Sequence, residues 1–298
     1  QSSVCYLQLN FMDQIKIFIE LTRLKKPIGY MLLFWPCAWG LTLAYEFDKS
    51  FNDYFLYLLL FLSGSILMRS AGCIVNDIFD KKFDKKVART KNRPIASGKI
   101  SINLALVYSV ILCFLAFIVL INFNKLTIIL AICSMPLAFT YPLMKRLTYW
   151  PQLFLGITFN YGLILGWTAV NNDHFYLPII FYLGAIFWTL GYDTIYGYQD
   201  IADDEIIGVK STSIKFKKIP KLFVSICYLI FIMSLVIVGF SMNLNKIYYF
   251  LLLFIIFHLI FYQIRKFNSK NTETCFVTFK SNNLLGFVIY GSILLGKM

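Results

Sequence analysis

The chain has 298 residues, of which 59% are apolar and only 14% are charged. Soluble domains carry about 25% charged and about 45–50% apolar residues, so a water-soluble enzyme, a disordered chain and a collagen-like fibre are excluded. The charge is lopsided, with 28 Lys+Arg against 15 Asp+Glu and a net charge of +13. With this hydrophobicity, the excess points to a membrane rather than to nucleic acid.

Residues 1–26 read as an amphipathic segment on the cytoplasmic membrane surface. Phe18, Ile19, Leu21 and Leu24 stand beside Lys16, Arg23, Lys25 and Lys26. The segment lacks the basic start, short apolar core and cleavage site of a secretory signal. Nine apolar runs follow, each near the roughly 20 residues that a helix needs to cross a bilayer core. They lie at roughly 28–45, 53–75, 101–122, 125–143, 150–170, 176–195, 221–241, 246–264 and 277–296. The expected fold class is all-α: one integral-membrane domain over residues 1–298 with nine transmembrane helices. Pro36, Pro136, Pro142 and Pro178 interrupt some runs, which membrane helices tolerate when neighbours satisfy the freed carbonyls.

Basic residues set the orientation. With a cytoplasmic N-terminus and nine alternating helices, the outer segments hold only Lys49, Lys125, Lys246 and Lys297, leaving 24 of the 28 bases on or facing the cytoplasm. Outer connections are short, such as Asn171-Asn172-Asp173-His174. Two cytoplasmic connections, 76–100 and 193–220, are long and contain 8 of the 15 acids.

The seven cysteines, Cys5, Cys37, Cys73, Cys113, Cys133, Cys227 and Cys275, include no CxxC pair and mostly lie in apolar runs. They form neither a disulfide framework nor a zinc site. The two histidines, His174 and His258, are far apart, which argues against a His-based metal site or a Ser-His-Asp triad. Any metal would be held by carboxylates, which favours Mg²⁺, Mn²⁺ or Ca²⁺.

The acids fall into two clusters. At about 100° per residue, Asp77, Asp80 and Asp84 share one helical face, with Asn76 beside them. By the same count Asp193, Tyr196, Asp200 and Asp204 share another. Like charges at these spacings repel, and carboxylates beside a membrane are costly. Neutralisation by the local Lys81, Lys82, Lys85 and Lys86 would explain one such stretch, but two stacked clusters on the same side imply a ligand. Mg²⁺ takes one or two carboxylates and fills its shell with water and substrate phosphate oxygens. Arg89, Arg93, Lys145, Arg146 and Lys210 are placed to meet phosphate or carboxylate oxygens. Arg69 lies inside an apolar run, where an arginine is a functional candidate by default. No Gly-rich nucleotide loop is present, so the expected ligand is a lipid diphosphate beside an apolar cavity. Its chemistry would be metal-assisted loss of diphosphate from an allylic carbon.

Asn76-Asp77-x-x-Asp80-x-x-x-Asp84 resembles the first aspartate motif of the UbiA superfamily of intramembrane prenyltransferases. Tyr192-Asp193-x-x-Tyr196-x-x-Gln199-Asp200-x-x-Asp203-Asp204 resembles the second. Several segments resemble the 4-hydroxybenzoate polyprenyltransferase branch: Arg23–Gly29, Met68–Cys73, Arg89–Gly98, Tyr141–Gln152, Gly208-x-Lys210-Ser211 and Phe279–Asn283 with Gly286. The likeness runs from about residue 23 to the C-terminus.

The resemblance implies a nine-helix bundle around a central cavity, closed on the cytoplasmic side by the two aspartate loops. It implies Mg²⁺-dependent transfer of a polyprenyl group from polyprenyl diphosphate to the ring carbon ortho to the hydroxyl (position 3) of 4-hydroxybenzoate, in ubiquinone biosynthesis. Asp77, Asp80, Asp84, Asp193 and Asp200 would carry the metal-diphosphate site, with Asn76 assisting and Asp204 joining them or orienting a ligand. Lys145 and Arg146 match substrate-binding positions, and Arg69 matches the arginine that meets the aromatic acid.

The alternatives are a related enzyme with another acceptor, such as a naphthoate, homogentisate, haem or chlorophyll precursor, and a cation-coupled transporter. Transporter sites usually lie near the bilayer midplane, whereas these acids sit at cytoplasmic helix ends. The expected location is a bacterial inner membrane, with a mitochondrial inner membrane as the alternative. Prenyl chain length and oligomeric state are not legible.

Overall fold

A computed structural model describes residues 11–48, 50–171, 173 and 175–298. Lys49, Asn172, His174 and the first ten residues of the amphipathic segment lie outside the described residues. In chain order the helices are α1 Phe11–Thr22, α2 Ile28–Ala44, α3 Phe51–Asp84, α4 Ile102–Leu120, α5 Lys125–Leu147 and α6 Pro151–Thr168. Then come α7 Tyr176–Gly197, α8 Ile201–Ile207, α9 Thr212–Lys215, α10 Pro220–Ser241, α11 Lys246–Ile256 with a π-helical continuation Phe257–Ile264, and α12 Thr272–Lys297. Among the described residues, each of the nine apolar runs is helical.

The local chemistry of the starts is legible. Ser101, Asn124 and Asn271 cap α4, α5 and α12 by accepting from Leu104 N, Thr127 N and Thr274 N. Pro151 and Pro220 open α6 and α10, where a missing N–H costs nothing. Among the described residues, six helices are long and apolar enough to cross a membrane: α3, α4, α5, α7, α10 and α11 with its continuation. The chain is therefore an integral membrane protein. Of the other three runs, α2 has only 17 residues, while α6 and α12 carry polar side chains such as Asn160 and Asn282. Exposed apolar side chains on α4, including Val110 and Phe114, present a surface suited to lipid.

One side of the bundle is solid. Trp39 of α2 stacks with Phe181 of α7 (centroids 5.5 Å apart) and meets Trp188 at 5.1 Å. The indole N–H groups are satisfied: Trp39 donates to Gly286 O (3.0 Å) and Trp188 to Asn282 Oδ1 (2.9 Å). Small residues bring α2 and α6 close, as in membrane helix pairs generally. A Cβ on Gly40 would lie 2.0 Å from Leu163 O, and one on Gly166 2.1 Å from Cys37 O. A cavity lies on the other side, lined chiefly by α2, α3, α4, α5, α6 and the end of α7.

Two features differ from the sequence expectation. The connection read as 76–100 is helical up to Asp84, because α3 runs 34 residues, about 51 Å at 1.5 Å per residue, and carries its acids past an apolar slab about 30 Å thick. The amphipathic segment lies against protein: Ile17 and Leu21 of α1 are buried with Ala71 and Ile74 of α3 and Ile95. Phe18 meets Tyr108 of α4 edge-on at 5.3 Å.

Candidate active site

α3 delivers the first cluster. Residues three and four apart on a helix face the same way, and Asp77, Asp80 and Asp84 are 2%, 3% and 6% exposed. Buried carboxylates are costly unless paired, and each meets a base from elsewhere in the chain. Asp77 Oδ1 accepts from Arg23 Nη2 (2.5 Å) and Arg93 Nη1 (3.0 Å). The same Arg93 nitrogen donates to Asp84 Oδ2 (2.9 Å). Asp80 Oδ2 accepts from Lys145 Nζ and from Asn76 Nδ2 (3.1 Å). Its other oxygen, Oδ1, is buried with no hydrogen-bond partner among the described residues, and Arg146 Nη2 stands 4.0 Å away. The local Lys81, Lys82, Lys85 and Lys86 form none of these ion pairs.

The second cluster does not lie on one continuous helical face, as the spacing had predicted. α7 ends at Gly197 and α8 restarts at Ile201. A distant side chain sits at this break: Ser213 Oγ of α9 donates to Thr194 O (2.7 Å), the carbonyl that a continued α-helix would offer to Tyr198 N. Tyr198 N turns instead to Ile195 O (3.3 Å), and Gln199 N and Asp200 N follow with the same tighter spacing. Gly197 makes room, since a Cβ there would lie 2.4 Å from Ser213 Oγ.

Asp193 therefore stays on α7 and opens into the cavity, with no hydrogen bond or ion pair among the described residues. Arg69 is the cation whose field reaches it. Asp200 sits in the turn and is gripped by Arg89, with Nε 2.8 Å from Oδ1 and Nη2 on Oδ2. Arg89 Nη1 also reaches Tyr196 OH (3.1 Å), so the 85–100 connection is tied to the second cluster. Burial and the neighbouring Asp200 push the Asp204 carboxyl of α8 up to about 6.

Both clusters line one end of a cavity of about 1760 Å³, whose interior wall includes Phe61, Leu120, Phe123, Met135 and Phe159. Arg69 stands two turns deeper than Asp77 along α3, about 12 Å by helix rise, with its guanidinium over the Phe159 ring at 5.3 Å. Asn76, Arg89, Arg93, Lys145, Tyr196, Asp204 and Lys210 also line the cavity. Lys210 is tethered to α5, its backbone N–H donating to Lys145 O (2.9 Å). Arg146 is placed differently: it lies outside the cavity wall, donates to Phe79 O (2.7 Å) and covers the Phe83 ring at 5.0 Å.

Arg23 was missed as a site residue in the sequence. It holds a left-handed backbone (φ 54°), sparsely populated for a non-glycine, and aims into Asp77. Its signals in the sequence are its place at the end of an amphipathic helix, four residues before Pro27, and its position at the head of the family-like segment Arg23–Gly29. Tyr141, Lys280 and Asn283 also line the cavity and were not singled out.

The donor set suits a hard cation. It offers carboxylate oxygens from several elements, among them the orphaned Asp80 Oδ1 and the unpaired Asp193. No three His, Cys, Asp or Glu side chains converge on one point among the described residues. An ion here would fill its shell with water and ligand oxygens, as Mg²⁺ does.

The chain matches the UbiA prenyltransferase family model over residues 33–286. It belongs to the UbiA prenyltransferase family. It is 42% identical to the mitochondrial 4-hydroxybenzoate polyprenyltransferase of Rattus norvegicus, over 94% of this chain and 75% of that protein. The fold is that of the apo UbiA homolog from Aeropyrum pernix K1 (TM-score 0.75, 20% identity, 91% of this chain and 99% of that one). The UbiA homolog from Archaeoglobus fulgidus bound to GPP and Mg²⁺ superposes with a TM-score of 0.66 at 16% identity, over 92% of this chain and 99% of that one.

Proposed function

We propose that this UbiA-family chain transfers a polyprenyl group from polyprenyl diphosphate to position 3 of 4-hydroxybenzoate, releasing diphosphate, in ubiquinone biosynthesis. The observation that carries this reading is the junction of two aspartate clusters and their bases with the mouth of a large apolar cavity. The 42% identity to a named 4-hydroxybenzoate polyprenyltransferase supports the acceptor.

Asp77, Asp80, Asp84, Asp193 and Asp200 are the residues that would hold divalent metal, and Mg²⁺ fits their oxygen-only chemistry. Bound there, the metal neutralises charge on the leaving diphosphate. Arg23, Arg89, Arg93 and Lys145, now on carboxylates, are the bases available to diphosphate oxygens once metal takes up carboxylate charge. Asn76, Tyr196, Asp204 and Lys210 border the same space. The cavity keeps water from the allylic carbon and houses the prenyl tail. Arg69, deeper on α3, holds the acceptor carboxylate and so fixes which ring carbon faces the tail. A cavity carboxylate or the released diphosphate takes the ring proton. Arg146, bound to a backbone carbonyl outside the wall, supports α3 from behind.

The nine-span arrangement with the aspartate ends on the cytoplasmic or matrix side follows from the basic-residue distribution. The membrane is an inner membrane of a bacterium or a mitochondrion; the word mitochondrial in the names of similar proteins favours the latter. The test is an assay of detergent-solubilised protein with Mg²⁺, geranyl diphosphate and labelled 4-hydroxybenzoate. Prenylated product that vanishes with EDTA is expected. Product only with a naphthoate or homogentisate acceptor would overturn the acceptor assignment.

A further inference from the structure

A second concave site lies at the same end of the bundle as the aspartates and shares no lining residue with the cavity. It has a volume of about 670 Å³ and is walled by the α9–α10 connection, the start of α10, residues 265–269 after the π-helical segment and the start of α12. Four bases line it: Lys218, Lys221, Arg265 and Lys266. No acid lines it, and none of the four pairs with a carboxylate among the described residues. Their neighbour Lys217 behaves otherwise, binding both oxygens of Glu205 at 2.8 Å. Lys266 donates to the Tyr262 hydroxyl (3.1 Å) and lies 5.0 Å from its ring centroid.

Orientation of the helices explains why bases lie on this side, but not why four from separate segments surround one hollow without a counter-charge. Like charges held together repel. The hollow also receives the start of α10, which has no side-chain cap and so leaves N–H groups free for an anion. Apolar groups adjoin it: Ile219 and Leu222 line the hollow and are 48% and 57% exposed. Leu222 begins an exposed stripe with Ile226 and Leu229, spaced to run down one face of α10 into the bilayer. Positive charge at the membrane surface above an apolar stripe matches a molecule with an anionic head and acyl chains.

We propose that this groove is a binding site for an anionic phospholipid, its phosphate among Lys218, Lys221, Arg265 and Lys266 and its chains along α10. The site also reaches the second aspartate cluster. Phe267, in the groove wall, packs on Tyr198 (centroids 5.4 Å apart), two residues before Asp200. A seated headgroup steadies the turn that carries Asp200. The inference needs only the membrane setting and is independent of the prenyl-transfer reading.

The test reconstitutes the full chain in phosphatidylcholine nanodiscs with or without phosphatidylglycerol. Lipid retained after mild detergent extraction is counted by native mass spectrometry. Wild-type protein is expected to retain phosphatidylglycerol and to melt at a higher temperature with it than without it. The variant K218Q/K221Q/R265Q/K266Q is expected to retain at least about tenfold less, while K81Q/K82Q/K85Q/K86Q, with the same loss of charge, changes retention less than about twofold. Equal losses in the two variants would make the effect one of net charge and overturn the site. So would an unshifted melting temperature of the wild type, which requires no variant to fold. Full displacement of the lipid by millimolar inorganic phosphate would make the groove a free-phosphate site and overturn the lipid assignment.

Discussion

The first aspartate cluster is one face of one helix, buried and neutralised by Arg23, Arg93 and Lys145 from three other segments. The second is spread over α7, a turn and α8, with Asp200 gripped by Arg89 and Asp193 left open to the cavity. Both face the same space, yet every carboxylate of the first cluster is held by a base from elsewhere in the chain, whereas in the second Asp193 pairs with none among the described residues. Removing one member of a buried ion pair leaves its partner charge uncompensated, which is strongly destabilising. Removing a carboxylate that pairs with nothing carries no such cost. Equivalent chemistry at the two clusters should therefore come with unequal effects on stability.

The largest expected effect is on transfer. Asp77→Asn and Asp193→Asn should each lower the rate of prenyl transfer by at least about 10²–10³-fold, as loss of a preorganised electrostatic group does. Thermal unfolding in EDTA separates the two. Asp77→Asn should lower the melting temperature by several degrees, roughly 2–4 °C per kcal/mol lost, and Asp193→Asn should leave it unchanged or raise it. Equal destabilisation would break the contrast between the clusters.

Next in size is Arg69→Ala. Loss of a charge-assisted contact to the acceptor carboxylate should raise KM for 4-hydroxybenzoate by about 10–100-fold, with a much smaller change for prenyl diphosphate. An equal loss for both substrates would remove Arg69 from the acceptor site. A smaller effect is expected from Ser213→Ala, which frees Thr194 O and lets α7 continue past Gly197. Moving Asp200 off its turn should cost roughly threefold to tenfold in kcat/KM. The smallest is expected from K81Q/K82Q/K85Q/K86Q, which touches none of the pairs in the first cluster and should change kcat/KM less than about twofold.

The sequence carried the fold and the first cluster well because both depend on local periodicity. Apolar length marked the nine helical runs, and the spacing of Asp77, Asp80 and Asp84 marked one helix face. The rest depended on contacts between distant residues. Asp77 meets Arg23 across 54 positions, and at the break after α7 Thr194 O accepts from Ser213, 19 residues further on. A helical count extended through Asp204 could not register that Ser213 takes the Thr194 carbonyl. Charge, guanidinium geometry and family resemblance assign Arg89, Arg93, Lys145, Arg146 and Lys210 to phosphate or carboxylate oxygens without saying which. The structure places Arg23, Arg89, Arg93 and Lys145 on the carboxylates and turns Arg146 onto Phe79 O. Which partner a base chooses is decided by tertiary placement, which residue type does not encode.

The central claim is that the two clusters jointly bind a metal-diphosphate unit. Isothermal titration of geranyl diphosphate into the purified protein, with Mg²⁺ and with EDTA, tests it most directly when wild type is run beside Asp193→Asn. The account predicts Mg²⁺-dependent binding to the wild type that weakens at least about tenfold in Asp193→Asn while the variant keeps its melting temperature. Binding of equal strength in EDTA, or full Mg²⁺-dependent affinity in Asp193→Asn, would contradict it.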